Sequence, residues 1–160
     1  MPGDRTPEGR ALNELIHEAM SFHGVLLDHG QRIAAVYGQT PARWKVLGGV
    51  SEQALTVSQI ARRMGLTRQS VQRVANELID EGLMRADPNP DHARAPLLDL
   101  TRAGRDVFDK ITSLQKKWSN RVAQGVDVKL LRTTLAGLRA VRTHMEQTSF
   151  PGSFFSDDRG

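Results

Sequence analysis

Residues 56–100 constrain the fold more than any other part of the chain, because capping and turn residues divide them at short intervals. Thr56 is followed three residues later by Gln59, a pairing typical of a helix N-terminus at which the two side chains cap the backbone. We expect a short helix there that stops at Gly65, since glycine readily adopts the left-handed conformation of a helix end. A second helix is predicted to begin at Thr67, another residue suited to an N-cap.

The helix after Thr67 is predicted to be amphipathic and to precede a small sheet. Its apolar residues recur at the spacing of one helix face: Val71, Val74, Ala75 and Leu78. Gly82 ends this helix, and residues 83–86 and 97–100 are strand candidates joined by a proline-containing loop. Two short helices followed by a ribbon indicate a winged helix-turn-helix, mainly α-helical with a small β wing of two or three strands. The wing is residues 83–100.

Longer helices are predicted on both sides of this segment. Apolar residues recur at helical spacing over about residues 11–36, where Gly24 and Gly30 are candidates to bend the helix. Gly38 is expected to end it, and Pro41 suits the first turn of the next helix. Three further N-cap candidates mark the starts of the remaining helices: Thr40, Thr101 and Asp127.

Charge is distributed unevenly along the predicted helix-turn-helix. No acidic residue occurs from residue 53 to residue 76, a window that holds four arginines: Arg62, Arg63, Arg68 and Arg73. In the second helix the basic residues lie in the N-terminal half, whereas Glu77, Asp80 and Glu81 lie in the C-terminal half. The helix dipole favours the opposite order, by about 0.3–1 kcal/mol per charge. Such a conflict is expected at functional sites, and a polyanion such as DNA at the N-terminal end would remove it.

The side chains opposite the apolar stripe are of kinds that hydrogen-bond to base edges. Arginine pairs with guanine, and glutamine or asparagine pairs with adenine. We therefore predict that this helix contacts double-stranded DNA through Thr67, Arg68, Gln69, Ser70, Gln72, Arg73 and Asn76. Arg62 and Arg63, on the preceding helix, are candidates for contacts to the DNA backbone. The alternative interpretation is an ordinary solvated face.

Other features exclude several classes of function. The chain has no cysteine, which excludes disulfides, thiolate nucleophiles and cysteine-ligated zinc. The net charge is +4, and no apolar run approaches the roughly 18 residues that span a membrane. The N-terminus also lacks the apolar region of a signal peptide, so we expect a soluble, cytoplasmic protein with no membrane partner. No nucleophile, base and orienting group combine, so we expect neither enzymatic activity nor a cofactor.

Three further groups of residues carry weaker predictions. His17, His23 and His29 are six residues apart and do not share a helix face, so no metal site is predicted. Trp44 and Trp118 suit either an effector pocket or ordinary core packing. The tail, residues 149–160, holds three of the five phenylalanines and is a candidate to pack on the body or on a partner subunit.

The stretch from TPARW at residue 40 to LTRAG at residue 104 resembles the MarR family of winged helix-turn-helix transcriptional regulators. The resemblance implies a single domain over residues 1–160 that forms a triangular homodimer. Its dimerisation helices would be residues 1–39 and 102–148, and its DNA-binding lobe residues 40–101. It also implies that a small-molecule effector can bind between the lobe and the dimerisation helices. We therefore expect a sequence-specific, ligand-responsive regulator, a repressor rather than an activator, on a pseudo-palindromic operator.

The wing departs from the family pattern at one position. The family wing commonly reads Asp-x-Arg, five residues, then Leu-Thr. Counting back from Thr101 places the arginine at Arg94, whereas His92 occupies the aspartate position and Asp91 lies one step earlier. His92 and Arg94 are thus predicted to contact DNA, with Arg94 in the minor groove.

Two other classes of function remain open from the sequence. An architectural protein would bind DNA with little sequence preference, and its specific-to-nonspecific affinity ratio would be near one. A winged-helix protein-interaction module would bind no DNA and would show no salt-dependent affinity for it. The acid-free, arginine-rich window argues against the second alternative.

Overall fold

The computed structural model describes residues 5–92 and 94–148. The elements within these residues are α1 (Pro7–Ala35), α2 (Pro41–Gly49), α3 (Val57–Met64), α4 (Arg68–Asp80), β1 (Met84–Asp87), β2 (Leu97–Leu100), α5 (Arg102–Ala123) and α6 (Val128–Gln147). The chain divides into two units, Met1–Lys117 and Trp118–Gly160, and each is described by itself. The phenylalanine-rich tail lies outside the described residues. The mainly helical fold with a two-stranded wing confirms the predicted fold class.

Helices α2, α3 and α4 begin at the predicted caps, whereas α1 begins at Pro7, capped by Thr6, about four residues before its predicted start. The hydroxyl of Thr40 accepts from the Arg43 amide at 3.2 Å, and Pro41 occupies the first helical position. Thr56 and Gln59 form a complete capping box, in which the Gln59 side chain accepts from the Thr56 amide at 2.8 Å. These hydrogen bonds satisfy amides that have no partner inside the helix. Glycines with positive φ follow α1, α3 and α4: Gly38, Gly65 and Gly82.

Helix α1 is continuous through Gly24 and Gly30, the two glycines considered as candidates for a bend. Glycine lowers helix propensity but keeps its amide donor, and the helical ladder is therefore not interrupted. Only Ile33 and Ala34 of this helix are buried. Most of its other large apolar side chains are exposed: Leu12, Ile16, Met20, Phe22, Val25, Leu26 and Leu27.

The core of the first unit lies where α2, α3 and α4 pack on the sheet. The predicted stripe of α4 is confirmed, since all four of its residues are buried. Burying each of the three larger side chains, Val71, Val74 and Leu78, contributes about 1.5–3 kcal/mol, which holds α4 with one face inward and the other in solvent. The buried cluster consists of Val46, Leu47, Val50, Leu55, Ile60, Ala61, Val71, Val74, Ala75, Leu78, Met84, Leu98 and Leu100.

Strands β1 and β2 pair antiparallel from Met84↔Leu100 to Asp87↔Leu97. The first strand begins one residue later than predicted, because the Leu83 amide still donates to the Leu78 carbonyl at 2.8 Å. Leu55, just before α3, forms an isolated bridge on the other side of β2. Its amide donates to the Leu98 carbonyl at 3.1 Å and its carbonyl accepts from the Leu98 amide at 2.9 Å.

The start of α5 is fixed against the residues that precede β1. The hydroxyl of Thr101 donates to the Gly82 carbonyl at 2.7 Å and accepts from the Gly104 amide at 3.1 Å, which confirms the predicted cap. A side chain at Gly104 would place its Cβ 1.9 Å from the Leu83 carbonyl oxygen. Only glycine allows this close approach of two backbone segments.

The second unit contains the end of α5 and helix α6. Gly125 adopts a φ of 85° in the connecting turn, and Asp127 caps α6 by accepting from the Lys129 amide at 2.9 Å. The hydrogen bond of Asp127 confirms the predicted cap. None of the α6 residues is buried. Its exposed large apolar side chains are Val128, Leu130, Leu131, Leu135, Leu138 and Met145.

Candidate nucleic-acid interface

Helix α4 presents a polar face opposite the core. Burial of the apolar stripe turns the opposite face of the helix into solvent, so that Arg68, Gln69, Gln72, Arg73 and Asn76 are exposed and Ser70 is half-buried. Thr67 is the N-cap, and its hydroxyl accepts from the Ser70 amide at 3.1 Å. The residues predicted from the sequence to contact DNA therefore lie together at the N-terminal end and along the solvent face of one helix.

Two side-chain pairs run along this face at a spacing of four residues. The Arg73 guanidinium donates to the Glu77 carboxylate, with Nη1 2.6 Å from Oε1. The Gln72 amide donates to the Asn76 side-chain oxygen at 2.9 Å. The pairing of Glu77 was missed in the sequence, where this residue was considered only for its conflict with the helix dipole. Its position four residues after an arginine was the signal that could have shown it.

A groove joins the N-terminal half of α4 to the wing. Its volume is about 340 Å³. Its lining residues come from the starts of α3 and α4 and from the wing: Thr56, Val57, Ser58, Arg68, Gln69, Gln72, Arg94, Ala95 and Pro96. Arg68 and Arg94 supply positive charge, and no carboxylate is among these residues. The groove is thus suited to an anionic group, and it brings the predicted wing arginine beside the predicted contacts of α4.

The wing loop, residues 88–96, is organised by Asn89. Its side-chain amide donates across the loop to the Ala95 carbonyl at 2.8 Å, and its side-chain oxygen accepts from the Asp91 amide at 3.0 Å. The two side chains predicted to reach DNA, His92 and Arg94, are both exposed. The family carries an aspartate at the position of His92, and here Asn89 braces the loop. An asparagine whose side chain binds the amide two residues later commonly forms a turn. This pattern could have predicted the role of Asn89 from the sequence.

The strands of the wing are held together by Arg85. Its Nε donates to Asp87 at 2.8 Å, its Nη1 donates to the Leu100 carbonyl at 3.2 Å, and its Nη2 donates to Asp99. The hydrogen bond to Asp87, with the charges of Asp99 and Asp87, raises the pKa of Arg85 above its ordinary value. Arg85 is therefore bound within the sheet, whereas Arg94 extends from the loop.

The two arginines of α3 have different surroundings. Arg63 forms an ion pair with Glu52, in the segment between α2 and α3. Arg62 is exposed and lines a shallow depression of about 330 Å³ together with Ser58 and Arg68. Arg62 therefore lies near Arg68, which also lines the groove between α4 and the wing. The charge of Arg63, in contrast, is compensated by the carboxylate of Glu52.

A second, apolar cavity of about 410 Å³ lies between α1, α2 and α5. It is lined by His23, Leu26, Leu27, Gly30, Pro41, Trp44, Lys45, Gly48, Met64 and Phe108. Trp44, one of the two tryptophans considered for a pocket, therefore lines a cavity, whereas Trp118 is half-buried in the second unit.

Over residues 5–92 and 94–148, no three His, Asp or Glu side chains are grouped so that they could hold a metal ion. In that same part of the chain, no helix combines the length and apolar character needed to cross a membrane.

Comparisons with known proteins agree with this geometry. The model of the MarR family matches residues 37–95, from the end of α1 into the wing loop. A protein of uncharacterised function from Mycobacterium tuberculosis is 46% identical over 125 residues, covering 78% of this chain and 87% of that protein. The transcriptional regulator AdcR of Streptococcus pneumoniae is 28% identical over 99 residues, covering 62% of this chain and 66% of the regulator.

A solved structure shares the fold over most of the chain. Staphylococcus aureus MarR in complex with salicylate and kanamycin superposes with a TM-score of 0.75, at 15% identity, over 88% of this chain and 95% of that protein. The winged helix-turn-helix, its flanking helices and the family match confirm the resemblance found in the sequence. The chain belongs to the MarR family of DNA-binding transcriptional regulators.

Proposed function

We propose that this protein is a ligand-responsive repressor that binds a pseudo-palindromic operator as a homodimer. The observation that carries the proposal is the groove in which Arg68, Gln69 and Gln72 of α4 meet Arg94 of the wing. A surface that combines base-reading amides, arginines and a protruding loop fits the major groove of DNA and the minor groove beside it.

Helix α4 is the element that would enter the major groove. Gln69 and Arg73 lie on its exposed face, and the buried stripe opposite them fixes the orientation of that face. A glutamine can bind adenine and an arginine can bind guanine, each through two hydrogen bonds. Arg62 would contact the phosphate backbone, which adds affinity without sequence preference.

The wing would supply a second contact, in the minor groove. Arg94 is exposed on a loop that Asn89 braces, and it faces the same groove as Arg68. A narrow minor groove at A·T-rich sequence concentrates negative potential and attracts an inserted arginine. His92, exposed on the same loop, would lie beside the phosphates.

A second copy of the chain is the proposed partner of the flanking helices. Helix α1 in the first unit and α6 in the second each expose a row of large apolar side chains, among them Phe22, Leu26, Leu131 and Leu135. Monomeric proteins rarely leave such faces in water, and closed two-fold dimers are the commonest way to cover them. Sedimentation at micromolar concentration tests this: a monomer would contradict both the dimer and the palindromic operator.

The apolar cavity is the proposed effector site. Its volume of about 410 Å³ is in the range that holds a small organic molecule. Its walls are largely apolar and aromatic, and Lys45 and His23 supply polar groups at exposed positions. S. aureus MarR, which shares the fold, was solved with salicylate, an aromatic carboxylate. We propose a small apolar anion as the ligand, bound more tightly by a DNA-free arrangement of the two lobes.

One experiment tests the DNA-binding part of the proposal. The protein is incubated with fragmented genomic DNA and with random duplexes, and the bound fragments are sequenced. We expect enrichment of an inverted repeat, with an affinity that falls steeply as salt is raised. Salt-dependent binding without enrichment would identify an architectural protein, and absence of salt-dependent binding would identify a protein-interaction module. Release of the enriched fragment by aromatic carboxylates then tests the effector.

A further inference from the structure

The ion pair between Arg73 and Glu77 lies in the middle of the exposed face of α4. The Nη1 of Arg73 is 2.6 Å from the Oε1 of Glu77, and the side chains are 66% and 41% exposed. Beside it, Gln72 and Asn76 form a second pair at the same spacing. The surface proposed to read DNA thus carries a carboxylate bonded to its central arginine.

Helix stability does not account for this carboxylate. Exposed ion pairs of this kind contribute little, and the order here, arginine before glutamate, is the less favourable one. Glu77 also lies in the C-terminal half of α4, where the helix dipole disfavours an acid. A carboxylate on a surface that approaches DNA would further oppose the phosphates. A glutamate at this position therefore lowers both the stability of the helix and its attraction to DNA. An advantage in recognition would offset these two costs.

The geometry supplies that advantage. A guanidinium has five N–H donors in a fixed plane, and Glu77 engages Nη1. The remaining donors suffice for two parallel hydrogen bonds to the O6 and N7 of guanine. Because the carboxylate holds the long side chain along the helix, fewer rotamers of Arg73 have to be given up when it meets a base.

The charge of Glu77 acts in the same direction. Arg73 and Glu77 together carry no net charge, so the pair adds little to the general attraction between α4 and DNA. If Arg73 turned to a phosphate, Glu77 would be brought towards that phosphate and would repel it. Contacts of Arg73 with a base edge are thereby favoured over contacts with the backbone.

We propose that Glu77 is a positioning residue that determines specificity: it directs Arg73 to a base edge and suppresses its use as a phosphate contact. The inference rests on the proposed function, because it assumes that α4 reads DNA. It adds that an acidic residue of this helix, which makes no contact with a base itself, sets the ratio between operator and random DNA binding.

The test uses Glu77→Gln, which keeps the size and an acceptor oxygen but removes the charge, and Glu77→Ala, which removes both. Asp80→Asn is the matched control. It removes the same charge from the same helix, but seven residues from Arg73, about 10 Å along the axis. Full-length proteins are titrated with a duplex selected by the unmodified protein and with a scrambled duplex of equal composition, at several salt concentrations.

For Glu77→Gln we expect affinity for the scrambled duplex to rise roughly threefold to tenfold, as expected for loss of one nearby like charge. The slope of log affinity against log salt should steepen by about 0.9, because one more positive charge is available to phosphates. Affinity for the selected duplex should rise less, so that the specificity ratio falls at least threefold. Glu77→Ala should lower the ratio at least as much, and Asp80→Asn should preserve it.

A cycle with Arg73→Ala links the effect to its partner. In an Arg73→Ala background, Glu77→Gln should no longer change the specificity ratio. The inference is overturned if Glu77→Gln and Glu77→Ala both keep the ratio of the unmodified protein, or if Asp80→Asn lowers it equally. If the unmodified protein enriches no sequence at all, the proposed function is wrong, and the inference about Glu77 is wrong with it. Thermal unfolding of each variant shows whether a loss of binding is caused by misfolding. If Glu77→Ala is misfolded, the specificity ratio of Glu77→Gln alone decides the test.

Discussion

Arg43 of α2 donates a hydrogen bond to the carboxylate of Glu81, the C-cap residue of α4, across 38 residues of sequence. The side chain of Arg43 is only 14% exposed, and its Nε is buried with no hydrogen-bond partner among the described residues. The hydrogen bond, assisted by the positive charge of Arg43, lowers the pKa of Glu81 below its ordinary value of 4.5 against an opposing effect of desolvation. The pair fixes the end of α4 to the helix that carries Trp44 and Lys45 of the apolar cavity.

We predict that Glu81→Gln destabilises the protein in a pH-dependent way. Because the folded state lowers the pKa of Glu81, the ionised carboxylate stabilises the fold above pH 4.5, and this contribution is lost as the pH falls through the lowered pKa. The loss in the free energy of unfolding should therefore be larger at pH 7 than near pH 3, as measured by urea denaturation. Asp80→Asn, one residue earlier, is the control. Equal losses for Glu81→Gln at both pH values would contradict the prediction.

Gly104→Ala is expected to destabilise the protein severely. The new Cβ would lie 1.9 Å from the Leu83 carbonyl oxygen, and both clashing groups belong to or adjoin the backbone. Overpacking that cannot be relieved by side-chain rotation should cost about 3 kcal/mol or more. Gly24→Ala is the control, since a Cβ there meets no atom within 4 Å, and it should stabilise α1 by about 0.5–1 kcal/mol. A chemical denaturation midpoint for Gly104→Ala equal to that of the unmodified protein would show that the close approach is not required.

Arg94→Ala is expected to weaken binding to the selected operator, most strongly where the flanks are A·T-rich. Asn89→Asp should reproduce the same pattern in weaker form. It keeps the oxygen that accepts from Asp91 but loses the amide that donates to Ala95, so the loop that carries Arg94 is less ordered. Titration of operators with A·T-rich and G·C-rich flanks measures both effects. If Arg94→Ala matches the unmodified protein on A·T-rich flanks, the loop does not contact the minor groove.

Gly30→Leu should abolish the response to an effector while preserving operator binding. Gly30 lines the apolar cavity, and a Cβ there meets no atom within 4 Å, so a leucine has space to enter the ligand volume. Aromatic carboxylates that release DNA from the unmodified protein should then fail to release it from the variant. Gly24→Leu, on the same helix but outside the cavity lining, should respond normally. Unchanged release from Gly30→Leu would place the effector elsewhere.

The parts of the fold that sequence reasoning predicted correctly are those governed by neighbouring residues. The caps at Thr40, Thr56 and Asp127 depend on a hydroxyl or carboxylate two or three residues from the amide it binds. The buried stripe of α4 follows from helical periodicity alone. The start of β1 was wrong by one residue, because Leu83 completes a hydrogen bond to the preceding helix that no strand pattern indicates.

The parts that were missed depend on distant partners or on the choice of one rotamer. Nothing near Arg43 in the sequence indicates that its guanidinium reaches Glu81. Asn89 lies in a loop whose conformation is fixed by a carbonyl six residues away, at Ala95. The cavity beside Trp44 depends on Phe108, a residue of α5, and so on packing between elements rather than on any local pattern.

The bridge between Leu55 and Leu98 also limits how a DNA complex can adjust. Strand β2 is hydrogen-bonded on both sides, to β1 and to Leu55, and Leu55 is followed directly by the capping box of α3. Lengthening the distance between the wing and the helix-turn-helix would require breaking backbone hydrogen bonds at the centre of the lobe. The separation between the proposed contacts of α4 and the base of the loop that carries Arg94 is therefore held by backbone hydrogen bonds. If α4 and the wing both contact DNA as proposed, we expect an operator with one base pair added between those contacts to lose one of them.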